Sequence, residues 1–250
     1  MHTYRFYVLP EDLNNAPVRI TGPDAHHATN VLRLKKGQGI VLFDGERFEY
    51  SAEIASIKRG EFTIGNIQKV REAEFYRPRI NLFAALLPKF DFIVEKATEL
   101  GVSEVHPVIT ERTQIKIKSG STSKKIERWM KVAIAACMQS GRIKLPELYE
   151  PTGLADALKI KRSAKNRLLA SLEKDAQPIY DVLSKADEGP ESVDIFIGPP
   201  ADFTDEETAA AKRAGLVPIS IIRDVLRSET AAISALAIVS SFFYSRSSNR

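Results

Sequence analysis

The sequence predicts an α/β protein in two parts, a small β-barrel followed by a largely parallel sheet covered by helices. Three observations carry that expectation. Short β-branched or aromatic runs crowd the first seventy residues between turn residues. Apolar strands then alternate with segments of helical periodicity to the C-terminus. The change of character falls at Glu72–Pro78, which sets expected domains of 1–74 and 75–250.

In the first part, Val18–Thr21, Gly39–Phe43, Phe48–Ile57 and Glu61–Val70 read as strands. Gly22-Pro23, Gly37, Asp44-Gly45 and Gly60 punctuate them, and Asp44-Gly45 is a hairpin signal because Gly accepts positive φ. His26–Leu34 is expected as one helix. In the second part, Asn81–Leu87 reads as a strand. Phe90, Ile93, Val94, Ala97 and Leu100 then mark a helix closed by Gly101. Val105–Ile109, Leu168–Leu172, Val193–Ile197 and Val217–Ile222 are further strands. A Gly/Ser/Thr loop at Ser119–Ser123 lets Ser123 cap a helix to about Gln139. Thr204 and Glu207 have capping-box spacing for a helix to Ala214, and Ser228 is placed to cap the last helix.

Composition narrows the class. The 250 residues are 44% hydrophobic, enough for a real core, with net charge +4 and pI near 9.0, which suits a polyanionic partner without requiring one. The most apolar run, Ala231–Tyr244, is shorter than the roughly 20 residues of a membrane span. The start MHTYRFYVLPEDL lacks the pattern of a signal peptide, and Cys137 is the one cysteine, so a cytoplasmic setting is expected. Cys137 lies in an Ala-rich helical pattern and reads as buried packing.

Several chemistries are excluded. There is no GxxxxGK[ST], and Gly37 and Gly39 precede a strand rather than a helix, so neither a P-loop nor a dinucleotide fingerprint is present. A cysteine-based zinc cluster is impossible, and neither HExxH nor GxSxG occurs. No metal site is expected.

A parallel sheet binds ligands beyond its carboxyl strand ends. Leu172 leads into Glu173-Lys174-Asp175, Ile197 into Gly198-Pro199-Pro200-Ala201, and Ile222 into Arg223-Asp224-Val225-Leu226-Arg227-Ser228-Glu229-Thr230. The last run puts Arg, Ser, Glu and Thr at a helix start, where free N–H groups accept a polar ligand; a capped, charged helix is the plainer reading. Basic residues gather at Arg33, Lys35 and Lys36, at Lys116, Lys118, Lys124 and Lys125, and at Arg142 and Lys144, where together they could follow a phosphate backbone. Arg5, Phe6 and Tyr7 combine charge with aromatic faces suited to stacking.

These residues resemble a known family. His27–Gly37 followed by Phe43-Asp44-Gly45, Lys96–Val102 followed by Pro107 and Glu111-Arg112, Glu127-Arg128-Trp129 with Gln139–Arg142 and Pro146, and Leu226–Ala231 are similar, in order, to RsmE-type 16S rRNA methyltransferases. The resemblance implies a PUA-like β-barrel RNA-binding domain and a SPOUT domain, a parallel sheet with a trefoil knot. It also implies a homodimer through the SPOUT domain, S-adenosylmethionine as methyl donor, and methylation of N3 of a uridine in 16S rRNA or the small ribosomal subunit. On that reading Arg227 and Glu229 are the catalytic candidates. Arg227 would stabilise charge on the uracil oxygens, and Glu229 would orient Arg227 or take the proton. Leu172, Ile197, Gly198, Pro199, Pro200, Ala201, Ile222, Val225, Leu226, Ser228 and Thr230 are the cofactor-binding candidates. Arg5, Arg33, Lys35, Lys36, Arg112 and Arg142 are the RNA-binding candidates. Ala235, Leu236, Ile238, Val239, Phe242 and Phe243 of the last helix serve either the dimer interface or the core.

The chain departs from the family at two cofactor loops. Where the family carries Gly-Pro-Glu-Gly-Gly, this sequence has Gly198-Pro199-Pro200-Ala201-Asp202, and where it carries Leu-Gly, this one has Ile221-Ile222. Ala136 and Met138 also replace commonly acidic residues. Side chains at positions needing φ > 0 are penalised, and Ile222 is expected to fill part of the adenosine pocket unless its loop shifts. Three readings follow: an active enzyme with a rebuilt pocket, a catalytically degenerate paralogue that binds RNA or a partner, or an interaction protein using the pocket for another ligand.

Overall fold

The computed structural model describes residues 4–14, 17–74, 78–115, 122–160, 166–185 and 192–247. Lys116, Lys118, most of the Ser119–Ser123 loop and part of the Glu72–Pro78 boundary lie outside them. The described chain forms two compact units, Met1–Glu74 with Ile134–Leu145, and Phe75–Ala133 with Pro146–Arg250.

The first unit is a five-stranded sheet of β1 (Arg5–Tyr7), β2 (Arg19–Thr21), β3 (Gly39–Phe43), β4 (Phe48–Lys58) and β5 (Glu61–Glu72), in the order β1-β3-β4-β5-β2. β1 runs parallel to β3, and the other pairs are antiparallel. Inward residues such as Phe6, Leu42, Ile54 and Phe62 alternate with outward ones and form its core, where the Phe6 and Phe62 rings meet edge-on at 5.4 Å. The expected single helix at His26–Leu34 is instead a short α1 (Gly22–His26) running into a π-helical turn at His27–Val31. The chain leaves that turn with Arg33 at φ 53.

The Asp44-Gly45 hairpin forms for a legible reason. One carboxylate oxygen of Asp44 accepts from the N–H groups of Glu46, Arg47 and Phe48 at 2.8–2.9 Å. Gly45 has φ 76, and a Cβ there would come within 2.7 Å of Tyr7 and 2.8 Å of Leu145. Cys137 and Ile143 pack with Phe43 and Ala73, which joins Ile134–Leu145 to this unit. Burial pushes the Cys137 thiol up to about 11, as befits a packing residue.

The second unit is an eight-stranded parallel sheet. Its strands are β6 (Arg79–Ala85), β7 (Glu104–Ile109), β8 (Glu147–Leu148), β9 (Thr152–Gly153), β10 (Asn166–Ala170), β11 (Gln177–Pro178), β12 (Ser192–Ile197) and β13 (Val217–Ser220). Their order is β11-β13-β10-β12-β6-β7-β8, with β9 also on β7, so the chain passes over β10 between β12 and β13. The helices are α2 (Phe90–Glu99), α3 (Thr122–Ser140, shared between the units), α4 (Leu154–Lys159), α5 (Ile179–Ser184), α6 (Asp205–Arg213) and α7 (Ser228–Ser247). α2 and α7 pack together, and α7 also covers β6 and β12. Leu154 and Ala157 of α4 and Ala211 of α6 pack on Phe83, Leu169 and Phe196 of the sheet.

One in-register row, Glu104-Asn81-Asp194-Arg167, crosses four strands. Asn81 donates to Asp194 at 2.9 Å and Arg167 at 3.3 Å, and Asp194 is fully buried. Two residues further along, Phe196, Phe83 and His106 stack at 4.3 and 4.4 Å between ring centres, and Tyr149 adds a fourth ring at 4.0 Å. These rows fix the strand register, because a slip of one residue would turn every charged group to the other face.

Candidate active site

The carboxyl ends of β10, β12 and β13 are neighbours in the sheet, and the loops leaving them enclose one groove. It holds about 570 Å³ of non-protein space, its open mouth included. Ser171 and Leu172 line it from the first loop, Gly198, Pro199, Pro200 and Asp202 from the second, and Ser220 to Leu226, apart from Arg223, from the third. Ser228 and Ala231 of α7 close its floor.

Each loop is held by a specific device. After β10, Glu173 and Asp175 bind Lys212 of α6 at 2.6 and 2.8 Å. These hydrogen bonds raise the Lys212 ammonium above its ordinary pKa and hold Asp175 below the carboxylate range. After β12, the Asp202 N–H donates to the Pro199 carbonyl at 2.9 Å and closes a tight turn. Pro200 occupies the turn position that favours a fixed φ and needs no N–H. Asp202 itself has φ 57, while Ala201 does not take positive φ. Left-handed backbone costs most side chains about 1–2 kcal/mol, and Asp is among those that tolerate it by bonding locally. Here Asp202 Oδ1 accepts from the Phe203 N–H at 2.8 Å. A Cβ at Gly198 would meet that oxygen at 3.0 Å and the Phe203 ring at 3.1 Å, so the turn closes over a position only glycine fills comfortably.

Beyond the turn, Thr204 and Glu207 form the expected capping box on α6. The second Glu207 oxygen accepts from the Glu111 N–H at 2.8 Å. Arg112, next in the chain, places Nη1 at 2.5 Å from the Ala201 carbonyl and 3.1 Å from that of Phe203.

The expected cofactor residues divide clearly. Leu172, Ile197, Gly198, Pro199, Pro200, Ile222, Val225, Leu226 and Ser228 line the groove, whereas Ala201 and Thr230 are exposed outside it. Two strand ends fall short of the sequence expectation: β10 stops at Ala170 and β13 at Ser220. Leu172 and Ile222 therefore stand on the rim, 62% and 51% exposed, because each belongs to a loop and not to the sheet. Ile222 lines the groove without closing it. The sequence reading missed Ser171, Asp202, Ser220 and Asp224.

Arg227 is exposed and Glu229 half-buried at the start of α7. Among the described residues neither makes an ion pair, so Glu229 does not neutralise Arg227. Ser228 is the first helical residue rather than the cap, and the Arg227 carbonyl accepts the first helical N–H, from Ala231 at 2.8 Å. Of the RNA candidates, Arg33, Lys35 and Lys36 are exposed together in the first unit. Arg5 is turned inward with its side chain 13% exposed, ion-paired to Glu49 and donating to the Arg142 carbonyl at 3.2 Å. Arg142 Nε lies 2.5 Å from the Lys144 carbonyl. Among the described residues no His/Cys/Asp/Glu group could hold a metal ion.

The sequence pattern of the RNA methyltransferase domain matches residues 76–240, the part that builds this groove. The chain belongs to the RNA methyltransferase domain family. The pattern of the RNA methyltransferase PUA domain matches residues 20–65 of the first unit. The ribosomal RNA small subunit methyltransferase E of Synechocystis is 29% identical, over 97% of this chain and 78% of that protein. The same enzyme of Bacillus subtilis is 27% identical over 96% of each. Among solved structures, a Legionella pneumophila protein in complex with bound S-adenosylmethionine superposes with a TM-score of 0.86 at 29% identity, over 97% of this chain and 98% of that one. The small subunit methyltransferase E of Neisseria gonorrhoeae, also bound to S-adenosylmethionine, gives 0.78 at 27% identity over 96% and 98%. This family member thus keeps the fold of its solved relatives.

Proposed function

We propose that this chain transfers the methyl group of S-adenosylmethionine to N3 of a uridine in small-subunit (16S) rRNA. The observation that carries the proposal is the open groove at three adjacent parallel strand ends in the stretch matched by the methyltransferase family. Its lining fits the cofactor. Ile197, Ile219, Ile222 and Leu226 offer apolar walls for an adenine ring, and Ser171, Ser220 and Ser228 offer hydroxyls. The Asp224 carboxylate suits a ligand that carries positive charge.

When bound, the cofactor supplies an electrophilic methyl carbon on a sulfonium. The chain's own task is to make a ring nitrogen nucleophilic. Uracil N3 carries a proton between two carbonyl groups, and its loss leaves negative charge on their oxygens. Arg227, exposed and without a carboxylate partner among the described residues, is available to stabilise that charge. Glu229, two residues on, is available to accept the proton directly or through water. Arg33, Lys35 and Lys36 of the first unit would hold the rRNA backbone, with Arg112 and Arg142 as further candidates.

The protein would act as a homodimer through its second unit, in the cytoplasm. The exposed Tyr244 of apolar α7, and the exposed Tyr180 packed on its Phe242, support the dimer. No described helix is long and apolar enough to cross a membrane.

The test is to incubate purified protein and S-adenosylmethionine with small ribosomal subunits lacking the modification, digest the rRNA, and analyse its nucleosides by mass spectrometry. A new 3-methyluridine supports the proposal; a methyl group on another atom or on no nucleoside rejects it.

A further inference from the structure

We propose that Asp202 is a positioning residue for the groove. It holds the Pro199–Phe203 loop in its ligand-accepting shape, and Arg112 braces that loop from outside. This rests on the reading that the groove takes S-adenosylmethionine.

The sequence alone makes the loop look damaged, since a proline, an alanine and an aspartate stand where flexible or acidic residues are expected. The geometry gives each a function. Pro200 presets the turn that ends at the Asp202 N–H, 2.9 Å from the Pro199 carbonyl. Ala201 takes no positive φ, so its methyl group is harmless there. Asp202 alone adopts the left-handed conformation, and its Oδ1 holds the next N–H, that of Phe203, at 2.8 Å. A glycine at that position reaches the same φ but has no oxygen to hold the Phe203 N–H. The loop is thus rebuilt as a stiffer turn, with Gly198 passing 3.0 Å beneath the Asp202 carboxylate as measured from its would-be Cβ.

Arg112 completes the device. Its Nη1 meets the Ala201 and Phe203 carbonyls, on both sides of Asp202. A guanidinium suits several acceptors at once. Arg112 therefore acts on the groove through the loop.

The mechanism predicts how substitutions rank. A loop that samples other shapes binds its ligand in proportion to the fraction in the competent one. Asp202→Asn keeps both the left-handed preference and the acceptor oxygen. Asp202→Gly keeps the first only, and Asp202→Ala keeps neither.

Isothermal titration of S-adenosylmethionine into wild type and these variants, with amide hydrogen exchange at Phe203 in the ligand-free proteins, tests the proposal. Asn should bind within about threefold of wild type, Gly more weakly, and Ala on the order of tenfold more weakly. Phe203 exchange should be slow in wild type and Asn and faster in Gly and Ala. Arg112→Ala should weaken the cofactor on the order of tenfold and speed Phe203 exchange. An Ala variant that binds like wild type, or a Phe203 amide that exchanges equally in wild type and Ala, overturns it. A wild type that binds no S-adenosylmethionine refutes the functional reading instead, and Phe203 exchange then decides by itself whether Asp202 holds the loop.

Discussion

Arg227 and Glu229 stand two residues apart at the start of α7 and share no ion pair, so neither neutralises the other. An arginine already neutralised by a carboxylate would stabilise a developing anion poorly. Their separation makes two roles testable independently.

Arg227→Ala should lower methyl transfer to small ribosomal subunits by roughly 10²–10³-fold, the usual loss for one charge-stabilising donor. S-adenosylmethionine affinity should stay within a few-fold, because Arg227 does not line the groove. Single-turnover transfer of a labelled methyl group, read beside calorimetry on the same sample, separates the two effects.

Glu229→Gln should reduce the rate about 10²-fold if its carboxylate takes the N3 proton. Single-turnover methyl transfer by both proteins reads the difference, and equal rates would assign Glu229 to the helix dipole alone.

The fold itself hangs on the buried row of the second unit. Asp194 is fully buried between Asn81 and Arg167, whose side chain is 13% exposed. Asp194→Ala leaves the Arg167 charge without its carboxylate and should destabilise the protein by about 3–5 kcal/mol. Denaturant unfolding followed by circular dichroism measures the loss.

In the first unit, burial alone would raise the Glu49 carboxyl, but hydrogen bonds from Arg71 and Arg5 bring it below its ordinary 4.5. A carboxylate depressed by folding stabilises above its unfolded pKa and loses that contribution as pH falls through the folded value. Wild type should therefore be more stable than Glu49→Gln at pH 7. The gap should shrink on acidification below about pH 4.5. Thermal unfolding of both proteins at pH 7 and pH 3 provides the comparison.

Much of this architecture was legible in the chain because local and tertiary preferences agree. Gly39–Phe43 is a strand to the residue, and Thr204 with Glu207 makes the capping box its spacing announces. The reading failed where apolar residues are not core. Leu172, Ile221 and Ile222 prolong two strand patterns, yet they form the groove's rim, since a binding site needs apolar groups facing solvent. Short elements such as β1, α4 and α5 have too few residues to show a period.

The site was half legible for a similar reason. Strand ends and a charged helix start pointed to the loops that line the groove, and nine of the eleven named cofactor candidates are among its lining. Asp202 was visible as a substitution, but its meaning depends on φ and on the Phe203 N–H, which no spacing reveals. Arg112 lies some ninety positions from the carbonyls it binds, so only the folded chain shows what its guanidinium does. Arg5 looked like a surface charge beside aromatics; its partner Glu49 comes from a strand two places away in the sheet.

The loops after β10, β12 and β13 are proposed to form a cofactor pocket. Calorimetric titration of S-adenosylmethionine into the purified, folded protein tests it most directly. The account predicts saturable binding with one site per chain and a Kd in the micromolar range, about −8 kcal/mol. A folded protein that takes up no S-adenosylmethionine at millimolar concentration would contradict it.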